Sequence, residues 1–469
     1  MLRQWQYLCS SCCALFCCLE DAETMTKPTQ SRELILDILM EILEKGGYSH
    51  VVLRQALEKY QYLEKQDRAL ITRITEGTIE YRMTIDQVLN QCSKVPVEKM
   101  KPVIRTILRM SVYQIFWMDR IPDRAVCSEA VNLAVRRRFS GLKGFVNGVL
   151  RTIIREKDSF DFSDLSLRYS MPSWLIDMWQ REYDSETVES MLRAFLEDRP
   201  TSVRCNLDRA SMEEICSSLK EEGVLAEKSP LADHGLLISG YDYLEALSAF
   251  QKGWIQVQDA SSALVGQAAS PCAGDRILDV CGAPGGKSLD LADRLKGTGL
   301  VTVRDLTEQK VALIEDNIER SGFTNICAQV WDAREFDSRW EKQADIVIAD
   351  LPCSGLGIIG KKPDIKYQAS PEQIESLAAL QREILSAVIR YIKPGGKLIY
   401  STCTVSRKEN QGQRDWILQE FPELEPLSLE KELGSSVQEP SLKEGYLQLL
   451  PGKHPCDGFF IAAFRKKEE

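Results

Sequence analysis

Three short stretches of this chain hold residue types that can do chemistry. The first is Asp279–Val280–Cys281–Gly282–Ala283–Pro284–Gly285–Gly286–Lys287–Ser288. The second runs Ile346–Val347–Ile348–Ala349–Asp350–Leu351–Pro352–Cys353–Ser354–Gly355, and the third is Tyr400–Ser401–Thr402–Cys403–Thr404. Before the first stands the strand-like run Arg276–Ile277–Leu278, and after it Leu289, Leu291, Ala292 and Leu295 fall at helical spacing. Strand, glycine-rich turn, helix is the order that aims backbone N–H groups and a helix N-terminus at one anionic or polar ligand. Gly282, Gly285 and Gly286 carry no Cβ, so the backbone can approach that ligand closely.

Two ligand classes compete for the turn. A nucleotide-triphosphate loop needs Gly-x-x-x-x-Gly-Lys-Ser/Thr. Gly286–Lys287–Ser288 fits, but the first glycine falls at position 281, which is cysteine, and Pro284 stiffens the centre. An S-adenosylmethionine site instead needs a tight turn and an acid at the end of the next strand for the ribose hydroxyls. Gly299–Asp305 supplies that strand, with Asp305 twenty residues beyond Gly285. The bland reading of Asp305, a surface aspartate after a buried strand, explains the turn less well than the cofactor does.

Asp350 could also be the magnesium aspartate of a nucleotide hydrolase, but that leaves both cysteines idle. A free cysteine is usually a small buried hydrophobe. Two of them at strand ends beside a cofactor turn fit that state poorly. A thiol beside a methyl donor suggests a specific reaction. C5 of a pyrimidine is too weak a nucleophile to attack a sulfonium methyl directly. A thiolate adding to C6 makes C5 enamine-like, which splits one hard step into easier ones. The ring must be polarised at N3/O2, a task for an acid such as Asp350, and a second group must aid loss of the C5 proton and of the thiol. The thiolate is the active form, so its site should lower its pKa.

These residues need a frame that brings strand ends together. From Arg276 the pattern alternates: strand Leu300–Arg304, helix Glu308–Ser321, strand Ile326–Val330 ending at Trp331–Asp332, and strand Ala344–Asp350. Helix Pro371–Ile392, strand Lys397–Ser401 and helix Lys408–Glu420 follow, and Tyr446–Leu450 with Phe459–Phe464 reads as an antiparallel hairpin. Such alternation predicts a Rossmann-like α/β domain, a parallel sheet covered on both faces, with ligands at the carboxyl ends of its strands.

Upstream the pattern differs. Residues 1–24 form an extension, expected to be unstructured, with Cys9-x-x-Cys12 as a weak metal signal and Met25 as a candidate working start. Residues 25–157 read as an all-α bundle, with helices expected over Asp67–Tyr81, Ile85–Cys92, Met100–Met118, Ala125–Arg137 and Gly144–Ile154. Residues 158–254 form a small α+β connector, and 255–469 the α/β domain.

The chain has 469 residues, 44% hydrophobic and 27% charged, as expected of an ordinary multidomain protein with ample core. Its net charge of −10 hides an asymmetry. Thr26 to Lys157 holds 23 Lys and Arg against 15 Asp and Glu, a surplus of 8, which leaves −18 on the rest. A basic module joined to an acidic one fits an RNA-holding part and a chemical part. Arg136–Arg137–Arg138, Lys143 and Arg151, with Phe139 and Phe145 interleaved, form the candidate RNA face, although charge runs are more often merely solvated. Five of the 15 cysteines crowd the first two dozen residues and the rest lack paired spacing; His50, His234 and His454 neighbour no motif. Disulfide scaffolds, metal sites and Ser–His chemistry are therefore not expected, and no apolar run reaches membrane-spanning length.

Asp-x-Cys-Gly-Ala-Pro-Gly-Gly-Lys, Asp-x-Pro-Cys-Ser-Gly and Ser-Thr-Cys-Thr, in this order, resemble the motifs of the RNA cytosine-5 methyltransferases of the NOL/NOP/Sun type. Lys143–Gly144–Phe145–Val146–Asn147–Gly148–Val149–Leu150–Arg151 resembles a NusB-like RNA-binding domain, and the likeness covers about residues 28–466. The resemblance implies S-adenosylmethionine held by Cys281, Gly282, Ala283, Pro284, Gly285, Gly286, Lys287, Asp305, Asp332 and Asp350. It also implies Cys403 as the attacking thiol, Cys353 assisting release and Asp350 as catalytic acid, acting on one cytosine of 16S ribosomal RNA. Spacing alone leaves the two cysteines unranked. A cytoplasmic monomer bound to small-subunit ribosomal RNA, without membrane or metal, is the expectation. Arg304, where the family has an apolar residue, predicts a locally exposed strand end. The rival readings are a non-enzymatic RNA-binding or assembly factor that works through the helical domain, and methylation of a protein or nitrogen atom, which leaves Cys403 unexplained.

Overall fold

The computed structural model describes residues 31–468, so the extension 1–24, Cys9-x-x-Cys12 and Met25 lie outside the described residues. The chain divides into two compact units. One holds residues up to Thr78 with Leu89–Lys157; the other holds Ile79–Val88 with Asp158–Glu469.

The first unit is helical. Its opening helix Ser31–Lys45 buries Leu34, Ile35, Ile38, Leu39 and Ile42, the face set by their spacing, and stops before Gly46 at φ +79°. Helix Ser49–Lys59, unmarked by the sequence pattern, follows. Helices Lys65–Glu80 and Arg82–Cys92 come next, Pro102–Trp117 is the most buried, and Asp123–Arg136 and Lys143–Arg155 follow. Arg138 at φ +66° closes helix Asp123–Arg136, with Phe139 N–H donating to Ala134 O and Arg138 N–H to Val135 O. The basic run is partly spent within the unit: Arg137 pairs with Asp37 at 2.7 Å and with Glu33 at 3.6 Å, and Arg136 with Glu33 at 3.7 Å. Arg138, Lys143 and Arg151 are exposed.

The second unit includes helices Ser173–Gln180 and Ser185–Ala194. A small antiparallel sheet follows, made of β1 (Thr201–Cys205), β2 (Leu225–Lys228), β3 (Gly235–Ser239) and β4 (Ile255–Val257), in the order β2-β3-β1-β4. Helix Met212–Glu221 covers it, started by a capping box between Ser211 and Glu214. Val203, Cys205, Ile215, Leu219, Leu236 and Ile238 form its core.

The large sheet contains β5 (Arg276–Asp279), β6 (Leu300–Asp305), β7 (Ile326–Val330), β8 (Ala344–Asp350), β9 (Ile392–Thr402), β10 (Leu424–Pro426), β11 (Tyr446–Leu449) and β12 (Phe459–Lys466). Its order is β10-β12-β9-β8-β5-β6-β7, with β11 also paired to β12. β5 to β9 are parallel; β12 runs antiparallel to β9 and forms the expected hairpin with β11. Strand alternation splits the core. Ile277, Ile346, Ile348, Ile399 and Ile461 face helices Ala260–Ala269 and Gly286–Arg294. Leu278, Val347, Ala349, Leu398 and Phe460 face helix Pro371–Val388. Each fully buried aliphatic side chain contributes about 2 kcal/mol, so a one-residue slip of β8 would exchange both faces.

Several boundaries differ from expectation. The long helix ends at Val388 rather than Ile392, and after one 3-10 turn the backbone is already extended from Ile392, because Pro394 cannot continue a helix. The later helix begins at Gln411 rather than Lys408. β5 is central, with β6 on one side and β8 on the other, so successive connections leave it in opposite directions. That switch point opens a crevice at the strand ends.

Candidate active site

Asp279 ends β5, and the chain then crosses the sheet edge. Val280 N–H reaches Ile348 O at 3.1 Å, Gly282 N–H reaches Arg304 O at 2.9 Å, and Gly285 N–H turns back to Gly282 O at 2.6 Å. Gly285 has φ +103° at the N-cap of helix Gly286–Arg294. A Cβ on Gly282 would lie 2.4 Å from Val303 Cγ1 and 2.8 Å from Asp279 Oδ2, so only glycine fits there. Asp279 itself is fully buried and accepts the Ser288 hydroxyl. Burial pushes its carboxyl up to about 7, aided by Asp350 and opposed by Ser288 and Lys287.

Asp305, at the end of β6, binds the turn directly. Its Oδ2 accepts Ala283 N–H at 3.1 Å, and its Oδ1 accepts Leu306 N–H at 2.8 Å and Lys310 Nζ at 3.0 Å. The exposed strand end expected from Arg304 is overturned: Arg304 is 1% exposed. Its guanidinium donates to Asp337 at 2.6 Å and Gln329 at 3.2 Å and lies over the rings of Trp331 and Trp340. An ion pair and aromatic faces replace the hydration that burial removes. Asp332 reaches the same edge, where Trp331 N–H bonds Asp305 O at 2.9 Å, but its carboxylate is gripped by Arg334, which holds it below its ordinary pKa.

On the other side of β5, Lys287 Nζ donates to Asp350 Oδ2 at 2.7 Å, and Ser401 Oγ donates to Asp350 Oδ1 at 2.7 Å. Burial pushes the Lys287 ammonium down, but Asp350 and then Cys403 more than offset it, and its pKa is raised. The Sγ atoms of Cys353 and Cys403 are 3.4 Å apart. The Cys353 hydrogen bond lowers Cys403, against burial and Asp350, with Lys287 and Lys362 adding to the lowering. Cys353 is pushed well up by that same bond, then by burial and Glu409. Either sulfur can donate in that contact; the opposed shifts match Cys353 donating to a Cys403 that carries the charge. Cys281 is a different thiol, pushed far up by burial and by Asp305 and Asp279, and suited to packing rather than attack.

The structure thus gathers Cys281–Lys287, Asp305, Asp350, Cys353 and Cys403 at one edge, and leaves Asp332 engaged by its own neighbour. It adds residues the sequence reading passed over. Gly357 N–H donates to Cys403 O at 3.0 Å, and a Cβ on Gly357 would lie 1.9 Å from Gly458 O. Glu409, Asn410, Gln381 and Gln413, each exposed by 0%, underlie both cysteine loops. The signal for Glu409, Asn410 and Gln413 was a polar cluster after a strand end, which the expected helix absorbed; Gln381 lies within the long helix Pro371–Val388.

The turn suits a nucleoside ligand with a charged tail: a glycine turn in which position 282 has no room for a side chain, first-turn N–H groups without intrahelical acceptors, and a carboxylate on the neighbouring strand end. Among the described residues, no group of three or more His, Cys, Asp or Glu is placed to hold a metal ion, and no helix is long and apolar enough to cross a membrane.

Known proteins match this architecture throughout. Residues 267–465 match the model of the 16S rRNA methyltransferase RsmB/F family, residues 29–155 the NusB family, and residues 171–244 the ferredoxin-like domain of RsmF/B-like methyltransferases. The chain is 38% identical over 450 residues to the probable ribosomal RNA small subunit methyltransferase B of Bacillus subtilis, covering 94% of this chain and 100% of that one. It is 31% identical over 449 residues to ribosomal RNA small subunit methyltransferase B of Escherichia coli, with 94% and 100% covered. The crystal structure of PH0851 superposes with a TM-score of 0.80 at 27% identity, covering 94% of this chain and 100% of that chain. By its all-α NusB domain, ferredoxin-like connector and mixed-sheet catalytic domain, and by identity along nearly its whole length, the chain belongs to the ribosomal RNA small subunit methyltransferase B family.

Proposed function

We propose that this enzyme methylates C5 of one cytosine in small-subunit ribosomal RNA, position 967 of 16S rRNA in the type its family suggests, through a covalent bond from Cys403 to C6. The observation that carries this reading is the unequal thiol pair, Cys353 and Cys403, 3.4 Å apart beside the Lys287–Asp350 pair. S-adenosylmethionine, when bound, supplies an electrophilic methyl group.

Cys281 to Lys287 and Asp305 would hold that cofactor, with Asp332 and Asp350 flanking it. The Cys403 sulfur donates its electron pair to C6, and the C5=C6 pair moves into the ring. The Lys287–Asp350 pair polarises the ring at N3/O2. After C5 is alkylated, the C5 proton must leave. Turning the Cys403 thiolate into a neutral thioether removes the largest cause of the raised Cys353 pKa, so Cys353 releases its proton to solvent water more readily and the thiolate left behind accepts the proton from C5. The C5–H pair then rebuilds C5=C6, and the Cys403 sulfur departs with the C6–S pair. The second cysteine is thus a base made available by the first step.

The helical module, residues 25–157, grips the RNA through exposed Arg138, Lys143 and Arg151; residues 158–254 link it to the catalytic part at 255–469. We infer a cytoplasmic monomer acting on ribosomal RNA. Incubation with methyl-labelled S-adenosylmethionine and small-subunit RNA tests the proposal: label is expected in 5-methylcytosine, and label absent from that base overturns it. A scaffold without activity would show no cofactor binding by calorimetry.

A further inference from the structure

The two cysteine loops are held from behind by two consecutive residues, Glu409 and Asn410. Glu409 serves mainly the Cys353 loop, although Ser406 beyond Cys403 also meets it and the Ser354 hydroxyl lies 2.7 Å from Thr404 Oγ1. Its Oε1 accepts Ser354 N–H at 2.8 Å, its Oε2 accepts Ser354 Oγ at 2.5 Å, and Gln381 Nε2 donates both to Glu409 Oε1 at 3.3 Å and to Pro352 O at 2.9 Å. Both neighbours of Cys353 are thereby fixed. Asn410 serves the Cys403 loop. Its Oδ1 accepts Thr402 Oγ1 at 2.6 Å and its Nδ2 donates to Thr404 O at 3.0 Å, so both neighbours of Cys403 are fixed as well. Gln448 Oε1 accepts the other Asn410 N–H at 2.7 Å, and Tyr400 OH donates to Glu409 O at 2.5 Å, which ties the dipeptide to β9.

Neither side chain is exposed at all, and no ion pair to Glu409 is found among the described residues. A buried carboxylate met by the neutral donors Ser354, Gln381 and Ser406 is costly, because such donors compensate lost hydration less fully than a cation does. A packed apolar pair would hold two loops without that cost. The arrangement makes sense if each loop must be held at the level of single hydrogen bonds.

We propose that Glu409 and Asn410 form a two-pronged positioning element, Glu409 aligning Cys353 and Asn410 aligning Cys403, so that each prong governs a different step. Neither touches the reacting atoms. The division of steps rests on the proposed roles of the cysteines; the division of thiols does not.

The test separates the two. Alkylation of each thiol by iodoacetamide is followed by mass spectrometry in the full-length protein, Cys353 in a Cys403→Ala background and Cys403 in a Cys353→Ala background, which removes their mutual hydrogen bond. Glu409→Ala is expected to change the Cys353 rate by about fivefold or more and leave Cys403 within about twofold, and Asn410→Ala to do the reverse, since loss of one or two buried hydrogen bonds shifts a local equilibrium by that order. Equal effects on both thiols, or on neither, overturn the assignment. Ser354→Ala, which removes one Glu409 donor, and Asn410→Asp, which keeps the Thr402 acceptor, repeat the test if an alanine variant does not fold. In the otherwise wild-type enzyme, Glu409→Ala should accumulate RNA adducts and Asn410→Ala should form fewer. Selective labelling without that kinetic split would keep the positioning element and discard the cysteine roles.

Discussion

The Cys403 sulfur lies 3.4 Å from that of Cys353, and the two thiols are pushed in opposite directions by the bond between them. The first prediction follows from that asymmetry. Cys403 should be alkylated with an apparent pKa below 9.0, its ordinary value, so its reactivity persists as pH falls past the point where a free thiol is protonated. Cys353→Ala removes the largest cause of the lowering, and the midpoint of the pH–rate profile should move up. An unchanged midpoint would show that the bond does not set it.

Lys287 is bonded to Asp350 and interacts electrostatically with Cys403. Lys287→Met keeps the length of the side chain and removes the ammonium. It should slow adduct formation at least about tenfold, about 1.4 kcal/mol of barrier, and raise the Cys403 midpoint. Single-turnover kinetics against pH measures both.

Asp279 gives a pH-dependent stability with a definite sign. Its folded pKa of about 7 lies above the ordinary 3.8, so the folded state binds the proton more tightly. This contribution is complete below pH about 4 and is lost as pH rises to about 7, a change on the order of 4 kcal/mol. Asp279→Asn, still able to accept from Ser288, should raise the melting temperature at pH 8, and the gain should shrink at pH 5. A gain independent of pH would contradict the raised pKa.

Gly282→Ala places a methyl group against Val303 and Asp279 at 2.4 and 2.8 Å. The turn must shift, so S-adenosylmethionine affinity measured by calorimetry should fall about tenfold or more. Gly286→Ala, whose Cβ would meet only Gln258 at 3.7 Å, is the control for helix propensity and should cost less.

Much of this site was legible in the sequence because strand ends are marked twice, by the apolar run that enters the sheet and by the polar residues that leave it. Asp305, Asp350, Cys353 and Cys403 all follow that rule. Arg304 misled because an arginine in a strand reads as exposed, and its partners Asp337, Trp331 and Trp340 come from a segment 27 to 36 residues on. Glu409 and Asn410 were hidden for another reason. They precede a helix and read as its first turn, while their side chains point back at loops about 50 and 8 residues away. Periodicity reports which face is buried; it does not report a polar network that closes through the core.

The most direct test of the central claim is covalent capture of RNA by the enzyme, resolved on denaturing gels after incubation with small-subunit RNA and S-adenosylmethionine. Cys353→Ala should accumulate the adduct, and Cys403→Ala should form none. An adduct that survives Cys403→Ala, or one lost in Cys353→Ala and retained in Cys403→Ala, would contradict the assignment of the attacking sulfur.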